Sequence, residues 1–289
     1  MIAVTGATGH LGRLVVDALL ARGVAPEQIV AAVRTPARAS DLAALGVAVR
    51  EADYSRPETL VPALEGVKTL LLVSSSEVGR RAAQHANVID AAKAAGVERI
   101  VYTSAPHADT STLILAPEHK ATEELLTASG LATTILRNNW YTENYAPALE
   151  QARESGVISA SVGEGRVASA TRKDFAEAAA VVLIRDDQAG KVYELTGDLA
   201  WTHEELARAA SEILGREVTY RSLTSAEHAA ALAAAGLDEG TAGFLVALDA
   251  NIREGLLGEV TNDLTDLLGR PTTPLTEGLA AALEATSAS

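Results

Sequence analysis

The sequence predicts an α/β fold, in which a doubly wound parallel sheet is followed by a smaller, mostly helical C-terminal lobe. The chain opens with a short apolar strand, a turn with glycines at 6, 9 and 12, and a helical pattern that begins at Leu11. Strand-like and helix-like runs then alternate as far as residue 137, which is typical of a parallel sheet wound by right-handed crossovers. From about residue 140 the alternation breaks up, and the chain from 224 onward is rich in Ala and Leu. This is the pattern of a Rossmann-type domain with a helical addition.

The glycines of the first turn each have a physical task in such a fold. Gly6 permits a tight turn, Gly9 permits close approach of the backbone to a pyrophosphate, and Gly12 lets the helix pack closely on the strand. The N–H groups at the start of the helix and its positive end then favour phosphates. We expect dinucleotide contacts from Gly6, Thr8, Gly9, His10, Leu11 and Gly12. Taken alone, the spacing also fits an ordinary strand-to-helix turn.

The runs that follow predict the rest of the sheet. Strands are expected at Gln28–Val33, Val47–Glu51, Thr69–Val73, Arg99–Thr103 and Thr133–Leu136. They are short and apolar throughout, as expected when helices cover both faces of a sheet. The run Gly79–Ala95 predicts a helix whose buried stripe contains Ala83, Ala86, Val88, Ile89 and Ala92. Beyond residue 140 we expect short strands near 157, 167 and 192–195, and helices over 173–185 and 203–214.

Composition narrows the class of protein. At 289 residues and 48% hydrophobic, the chain has ample material for one large α/β domain or a domain with a smaller lobe. A net charge of −14 argues against nucleic acid or an anionic membrane as partner. Without cysteine there is no disulfide and no thiol nucleophile. The first residues already belong to a strand and no run of 18 apolar residues occurs, so we expect a cytoplasmic protein.

The segment after the second strand indicates which dinucleotide binds. A carboxylate there would accept hydrogen bonds from the ribose hydroxyls and repel a 2′-phosphate, but no acidic residue occurs between Val30 and Ala39. Instead Arg34 follows the strand, with Arg38 one helical turn further on, and a planar guanidinium pairs well with a phosphate. We therefore expect NADPH rather than NADH. The alternative is that Arg34 belongs to an ordinary surface loop.

Two further segments are candidates for the same cofactor site. Asp53 follows the third strand, where this fold places a side chain against the adenine amino group, although a surface Asp at a helix start fits equally well. Ser74, Ser75 and Ser76 follow the fourth strand and would offer hydroxyls and backbone N–H groups to the central part of the cofactor. Three serines in a turn are also common loop residues.

Four segments resemble the NmrA-like atypical short-chain dehydrogenases, and the likeness spans essentially the whole chain. The segments are Thr5–Gly12, Ser74–Gly79, His107–Ser111 and Leu136–Tyr145. The resemblance implies two-electron reduction of a quinone or similar conjugated acceptor by NADPH, with Asn138 and Asn139 among the cofactor contacts. It also implies an NADP-binding domain over residues 1–140 and a substrate-side lobe over 141–289, with interleaved returns to the main domain.

The residues after the sixth strand are the candidate substrate site. Trp140, Tyr141, Asn144 and Tyr145 follow that strand at the carboxyl edge of the sheet, in a chain with only two Trp, six Tyr and two Phe. Flat ring faces suit a nicotinamide or a quinone. A hydrophobic plug beneath the C-terminal lobe is the alternative.

The proton-donating pair of the wider superfamily is missing. That pair is Tyr-x-x-x-Lys, but the residue four before Lys120 is Ala116, and none of the six tyrosines has a lysine four residues on. We therefore assign no catalytic residue and no metal ligand, and expect the proton to come from water or from His119, although a helical His119 is expected at the surface. A non-catalytic NADP(H)-sensing regulator is the alternative to an enzyme. The enzyme's partner would be a small quinone-like acceptor, and the sequence leaves a homo-oligomer open.

Overall fold

A seven-stranded parallel sheet forms the centre of the computed structural model, which describes residues 1–287. Its strands are β1 (Ile2–Thr5), β2 (Ile29–Val33), β3 (Ala48–Glu51), β4 (Thr69–Leu72), β5 (Arg99–Ser104), β6 (Ala132–Asn138) and β9 (Val192–Leu195). They lie in the order β3-β2-β1-β4-β5-β6-β9, and every neighbouring pair is parallel. The predicted α/β doubly wound fold is confirmed.

Helices cover both faces of this sheet and make up most of the second half. In the first half they are α1 (His10–Ala21), α2 (Ser40–Ala44), α3 (Pro57–Ala63), α4 (Arg81–Ala94) and α5 (Ala116–Ser129). In the second half they are α6 (Ala146–Ser155), α7 (Arg172–Ile184), α8 (His203–Leu214), α9 (Ser225–Ala234), α10 (Glu239–Arg253), α11 (Asp263–Leu268) and α12 (Leu275–Ser287). Among the described residues, no helix is long and apolar enough to cross a membrane.

Successive strand residues belong alternately to two separate hydrophobic clusters. Val4, Ala31 and Leu71 point to the face covered by α1 and α7, while Ala3 and Leu70 point to the face covered by α3 and α4. This alternation follows from the two-residue period of a strand, and it explains why the strands read as continuous apolar runs. Burial on both faces fixes the register, because a shift of one residue would exchange the two faces.

The strand order reverses between β1 and β4. The chain runs outward from β1 to β3 on one side and from β4 to β9 on the other. Ligands of open α/β sheets bind outside the carboxyl ends of the strands at such a reversal. Here those ends lead directly into the glycine turn after Thr5 and the serine loop after Leu72, so both candidate segments lie at the crevice.

The C-terminal lobe is built on two small sheets and a third hydrophobic cluster. Strand β7 (Val157–Ala160) pairs in parallel with β11 (Thr219–Ser222), and β8 (Arg166–Val167) pairs antiparallel with β10 (Trp201–Thr202). The cluster also contains Ala105 and Leu113 from the segment after β5. The lobe therefore packs on the carboxyl edge of the main sheet.

Two elements from the second half of the chain pack on elements from the first half. Helix α7 packs against α1, and β9 extends the main sheet beside β6. The second half of the chain thus contributes one helix and one strand to the main sheet and its cover. The division at residue 140 into two domains stays a prediction, and the last two residues of its second part lie outside the described residues.

Candidate cofactor and acceptor site

The turn after β1 is closed by glycine geometry. Gly6 has a φ of +59°, and the Gly9 N–H donates to the Gly6 carbonyl oxygen at 2.8 Å. A Cβ on Gly12 would lie 2.3 Å from the Gly6 carbonyl oxygen, so only glycine allows α1 to pack this closely on the turn. Gly6 and Gly12 thus have the local roles that the sequence predicts for them, and the approach of a pyrophosphate to Gly9 stays a prediction.

The N-terminus of α1 carries no side chain that would compete with a bound anion. Gly9 caps the helix without a side-chain hydrogen bond, and the first turn holds no acidic residue. The N–H groups and the positive end of the helix are therefore directed at the crevice. Thr8 is half-buried and His10 is exposed, whereas the Leu11 side chain is buried in the core. Leu11 can serve a ligand only through its backbone.

A tyrosine that sequence reasoning missed joins the two sides of the crevice. The Tyr54 hydroxyl lies within hydrogen-bond distance of Thr5 Oγ1 and is 2.8 Å from the Val73 carbonyl oxygen. The Val73 N–H in turn donates to Thr5 Oγ1 at 2.9 Å. Burial raises the pKa of Tyr54, so it stays a neutral hydrogen-bond donor. This network ties the ends of β1 and β4 together beneath the turn.

The loop Ser74–Ser76 uses several of its own donors in hydrogen bonds within the protein. This corrects the expectation that all of its hydroxyls and N–H groups are available to the cofactor. The Ser74 N–H donates to Thr103 Oγ1 at 2.9 Å, and the Ser75 N–H donates to His85 Nε2 at 2.9 Å. The Ser75 hydroxyl donates to Gln84 Oε1. These donors are committed to the protein and do not point freely at a cofactor. The Ser74 side chain and the exposed Ser76 are the groups of this loop left for a ligand.

The helix beneath this loop differs from the predicted apolar stripe. Ala83 is exposed, whereas Arg81, Gln84 and His85 are buried. The prediction for Ala83 was wrong because the start of α4 faces polar loop groups and not the apolar core. Val88 begins the part of the helix that packs in the hydrophobic cluster. Polar residues at positions i, i+3 and i+4 were the available signal, since that spacing defines one helix face.

Arg34 and Asp53 lie where the adenosine end of a cofactor would be recognised. The Arg34 side chain is 71% exposed, and its nearest carboxylate is Glu77 Oε1 at 3.6 Å. An exposed pair at this distance contributes little to stability, so the guanidinium is open to a phosphate. Asp53 is half-buried and accepts the Ser55 N–H at 2.9 Å, just before α3. Both interpretations of Asp53 therefore stay open.

The two asparagines after β6 differ in how well they are satisfied. Asn139 Oδ1 accepts the Trp140 N–H at 2.7 Å, and its amide nitrogen donates to the Leu257 carbonyl oxygen at 3.2 Å. Asn138 is buried, and its Oδ1 has no hydrogen-bond partner within residues 1–287. A buried oxygen without a partner is costly, and contact of Asn138 with the cofactor stays a prediction.

The aromatic residues after β6 separate into two cores. Tyr141 packs edge-on against Phe175 at 5.3 Å, beneath the Arg172 guanidinium at 4.8 Å. Tyr145 packs against Trp201 at 4.8 Å in the lobe. The predicted substrate cluster is therefore not one stack of rings. Half-buried Trp140, which also packs on the lobe, is the ring left at the sheet edge.

Asn144 also takes an internal role next to Tyr141. Its Oδ1 accepts from the Arg172 guanidinium at 2.7 Å. This bond holds the arginine over the tyrosine ring. Asn144 therefore supports the wall of the candidate site rather than presenting a free amide, and direct contact with an acceptor stays a prediction.

Helix α5, which carries Lys120, has no tyrosine four residues before that lysine. Ala116 is buried at the start of α5, and Lys120 is exposed on the same helix. The expectation of a surface His119 was wrong, because the ring is buried and its Nδ1 lies 2.8 Å from the Tyr102 hydroxyl. Burial lowers the pKa of His119 to about 3. Among residues 1–287, no group of His, Cys, Asp and Glu side chains could hold a metal ion.

The seven-stranded parallel sheet, its order reversal and the glycine turn at that reversal are the features of the Rossmann class of dinucleotide-binding proteins. A family model described as NAD(P)H-binding matches residues 6–186. The chain belongs to this NAD(P)H-binding family, and the predicted NmrA-like resemblance is confirmed by its relatives.

Those relatives are similar over nearly their whole length. Quinone oxidoreductase 2 of Escherichia coli is 51% identical over 96% of this chain and 97% of its own. The crystal structure of that NADPH-dependent quinone oxidoreductase complexed with NADPH has a TM-score of 0.93, covering 97% of this chain and 99% of that one. The Citrobacter sp. triphenylmethane reductase complexed with NADP(H) is 40% identical, with a TM-score of 0.93, covering 98% of this chain and 100% of that one.

Proposed function

We propose that the protein is an NADPH-dependent reductase that transfers hydride to a quinone or a similar conjugated acceptor. The observation that carries this proposal is a dinucleotide site without a proton-donating tyrosine, since Ala116 is buried where that residue would stand and Lys120 points to solvent. The names of the two relatives, a quinone reductase and a triphenylmethane reductase, support the same class of acceptor.

The acidity of the product decides which acceptors this site can reduce. An alkoxide, the product from a ketone, has a conjugate-acid pKa of about 16, near that of water. A hydroquinone oxyanion resembles a phenolate, for which the value is about 10. At roughly 1.36 kcal/mol per pKa unit, the oxyanion formed from a quinone needs on the order of 8 kcal/mol less stabilisation by a proton donor than the alkoxide does. Loss of the tyrosine is therefore tolerable for a quinone and serious for a ketone.

The residues present fit the nicotinamide dinucleotide. Gly12 lets α1 pack closely on the glycine turn, and the start of α1 supplies unshared N–H donors for a pyrophosphate. When bound, the cofactor supplies the hydride. The unpaired Asn138 oxygen is suited to an amide donor such as a carboxamide N–H.

Preference for NADPH rests on charge after β2. The exposed Arg34 would pair with a 2′-phosphate, and no carboxylate follows that strand to accept a ribose diol. Contact of Ser74, Ser76 and Asp53 with the cofactor is part of the same proposal. Trp140 would form the wall on which the acceptor stacks, and Tyr141 would contact the acceptor next to it, with Asn144 and Tyr145 as supporting residues.

A regulator that senses NADP(H) is the competing function, because it too would keep the cofactor site and lose the acid. Steady-state oxidation of NADPH with a panel of quinones, triphenylmethane dyes, ketones and imines separates the two. The enzyme reduces quinones or dyes with many turnovers per chain. Tight NADPH binding without turnover on any acceptor would favour the regulator.

The proposal extends to the organisation of the chain. Residues 1–140 would bind the cofactor and 141–289 would cover the acceptor. We place the protein in the cytoplasm, with no nucleic acid as partner, and the net charge of −14 supports the latter. Gel filtration with light scattering decides between a monomer and a homo-oligomer.

A further inference from the structure

Each polar group of Ser75 makes a hydrogen bond to one face of α4. Ser75 donates its N–H to His85 Nε2 at 2.9 Å and its hydroxyl to Gln84 Oε1. Its carbonyl oxygen accepts from Arg81 Nε at 2.7 Å. The three partners stand at positions i, i+3 and i+4 of α4 and are all buried. We call this arrangement the Ser75 clamp.

The hydrogen bonds of the clamp fix the protonation of its histidine. A backbone N–H can only donate, so His85 Nε2 must be an unprotonated acceptor. The single ring proton therefore lies on Nδ1 and is donated to Thr122 Oγ1 at 2.9 Å. The Thr122 hydroxyl in turn donates a hydrogen bond to the Glu118 carbonyl oxygen at 2.9 Å. The ring is thus held in one tautomer and one orientation by α5.

The clamp also contacts the loop that follows β3, on the other side of the crevice. The Gln84 amide donates to Ser55 Oγ at 3.0 Å, next to Asp53. The Arg81 guanidinium lies 3.5 Å from Glu118 Oε2 on α5. One helix face is therefore hydrogen-bonded to both loops that follow β3 and β4, and both loops contain proposed cofactor contacts.

We propose that His85 is a positioning residue for the cofactor: by holding the Ser75 N–H, it fixes the Ser74–Ser76 loop in the conformation that receives NADPH. This rests on the proposed NADPH site but not on the identity of the acceptor. Ser75 itself needs no contact with the cofactor, because its three polar groups are already used. The loop then binds through its neighbours, Ser74 and Ser76.

The chain offers a matched control in His119. Both histidines are buried, both make a hydrogen bond through Nδ1, and both rings lie against Tyr102, at 5.4 Å and 5.9 Å. Only His85 touches the serine loop. His85→Leu and His119→Leu should therefore lower Tm by similar amounts and differ in NADPH binding. His85→Gln replaces the ring nitrogen by an amide oxygen that can accept the Ser75 N–H. This variant should therefore restore NADPH binding.

The first measurement is the dissociation constant for NADPH by fluorescence titration. We expect about a tenfold increase in His85→Leu, less than twofold in His119→Leu, and within about threefold of the unmodified protein in His85→Gln. Gln84→Met removes the other Ser75 acceptor, should raise Kd about threefold, and carries the test if His85→Leu does not fold. Unchanged affinity, or equal weakening in His119→Leu, would overturn the proposal.

The second measurement needs neither cofactor nor acceptor. Amide hydrogen exchange of the free protein should show Ser75 protected, and its exchange should be at least about tenfold faster in His85→Leu than in His119→Leu. Equal Ser75 exchange in the two variants would contradict the clamp. Failure to reduce quinones would overturn the proposed function and leave this result standing.

Discussion

Replacing Gly12 by alanine is the most direct perturbation of the cofactor turn. The added Cβ would lie 2.3 Å from the Gly6 carbonyl oxygen, 2.8 Å from the Gly6 carbonyl carbon and 3.0 Å from the Thr5 carbonyl oxygen. All three atoms are backbone, so either the turn or α1 must move by about 1 Å to reach ordinary contact. Such overpacking costs about 1–3 kcal/mol of stability. The displaced turn would also lose its alignment with a pyrophosphate.

Gly9→Ala provides the contrast that separates packing from binding. Its Cβ would meet the Gly6 carbonyl oxygen at 3.1 Å, a contact relieved by a shift of a few tenths of an ångström. Because alanine is a poorer helix cap than glycine, we expect a stability loss below about 1 kcal/mol. The methyl group would nevertheless project from an exposed site where a phosphate must approach. A lost charged hydrogen bond of about 1.5–3 kcal/mol predicts roughly a 10- to 150-fold rise in Kd.

Urea unfolding and NADPH titration on both variants form the assay. Gly12→Ala should lose stability and affinity together, while Gly9→Ala should lose affinity with its unfolding midpoint nearly unchanged. A Gly12→Ala protein with the stability and NADPH affinity of the unmodified chain would refute the packing argument. Unchanged NADPH affinity in Gly9→Ala would refute the proposed approach of a phosphate to this turn.

Three further predictions concern other parts of the site. Arg34→Glu should weaken NADPH selectively and leave NADH within a few fold, because a carboxylate repels the 2′-phosphate and accepts the ribose diol; equal titrated Kd values for the two cofactors in the unmodified protein would contradict this. Trp140→Ala should raise KM or lower kcat for a quinone while NADPH binding stays within a few fold; a lowered Tm with unchanged kinetics would identify Trp140 as a structural plug. Burial and the nearby Arg81 charge lower the pKa of His85 to about 3, so His85 contributes stability that is present above about pH 6.5 and is lost as the pH falls toward 3. His85→Gln should therefore flatten the decline of the unfolding free energy between pH 6 and 4 by up to about 1.4 kcal/mol per pH unit; an unchanged slope in urea titrations would show that His85 is not held neutral.

The sequence was sufficient for the sheet because its signals are local. A glycine turn after an apolar strand and the alternation of strands and helices predict the order of elements, and the expected run Thr69–Val73 differs from the observed Thr69–Leu72 by one residue. Gly6 and Gly12 were interpretable because their roles depend on backbone geometry within one turn.

The site was less predictable because its contacts are long-range. His119 is buried by Tyr102, which comes from a neighbouring strand, and no helical periodicity on α5 contains that partner. Tyr141 and Tyr145 stand close in sequence but pack in different cores, so nearness along the chain did not imply a shared pocket. The polar start of α4 has meaning only once Ser75 lies against it.

The measurement that tests the central claim most directly compares kcat/KM for a benzoquinone and for an unactivated ketone, with NADPH as donor, in the unmodified protein and in Lys120→Ala. Without a proton-donating tyrosine, the quinone should be preferred by at least about a thousandfold. Lys120, exposed and without a tyrosine to tune, should be replaceable with a change of less than about threefold. Efficient ketone reduction that disappears in Lys120→Ala would reveal a working acid pair and contradict the account.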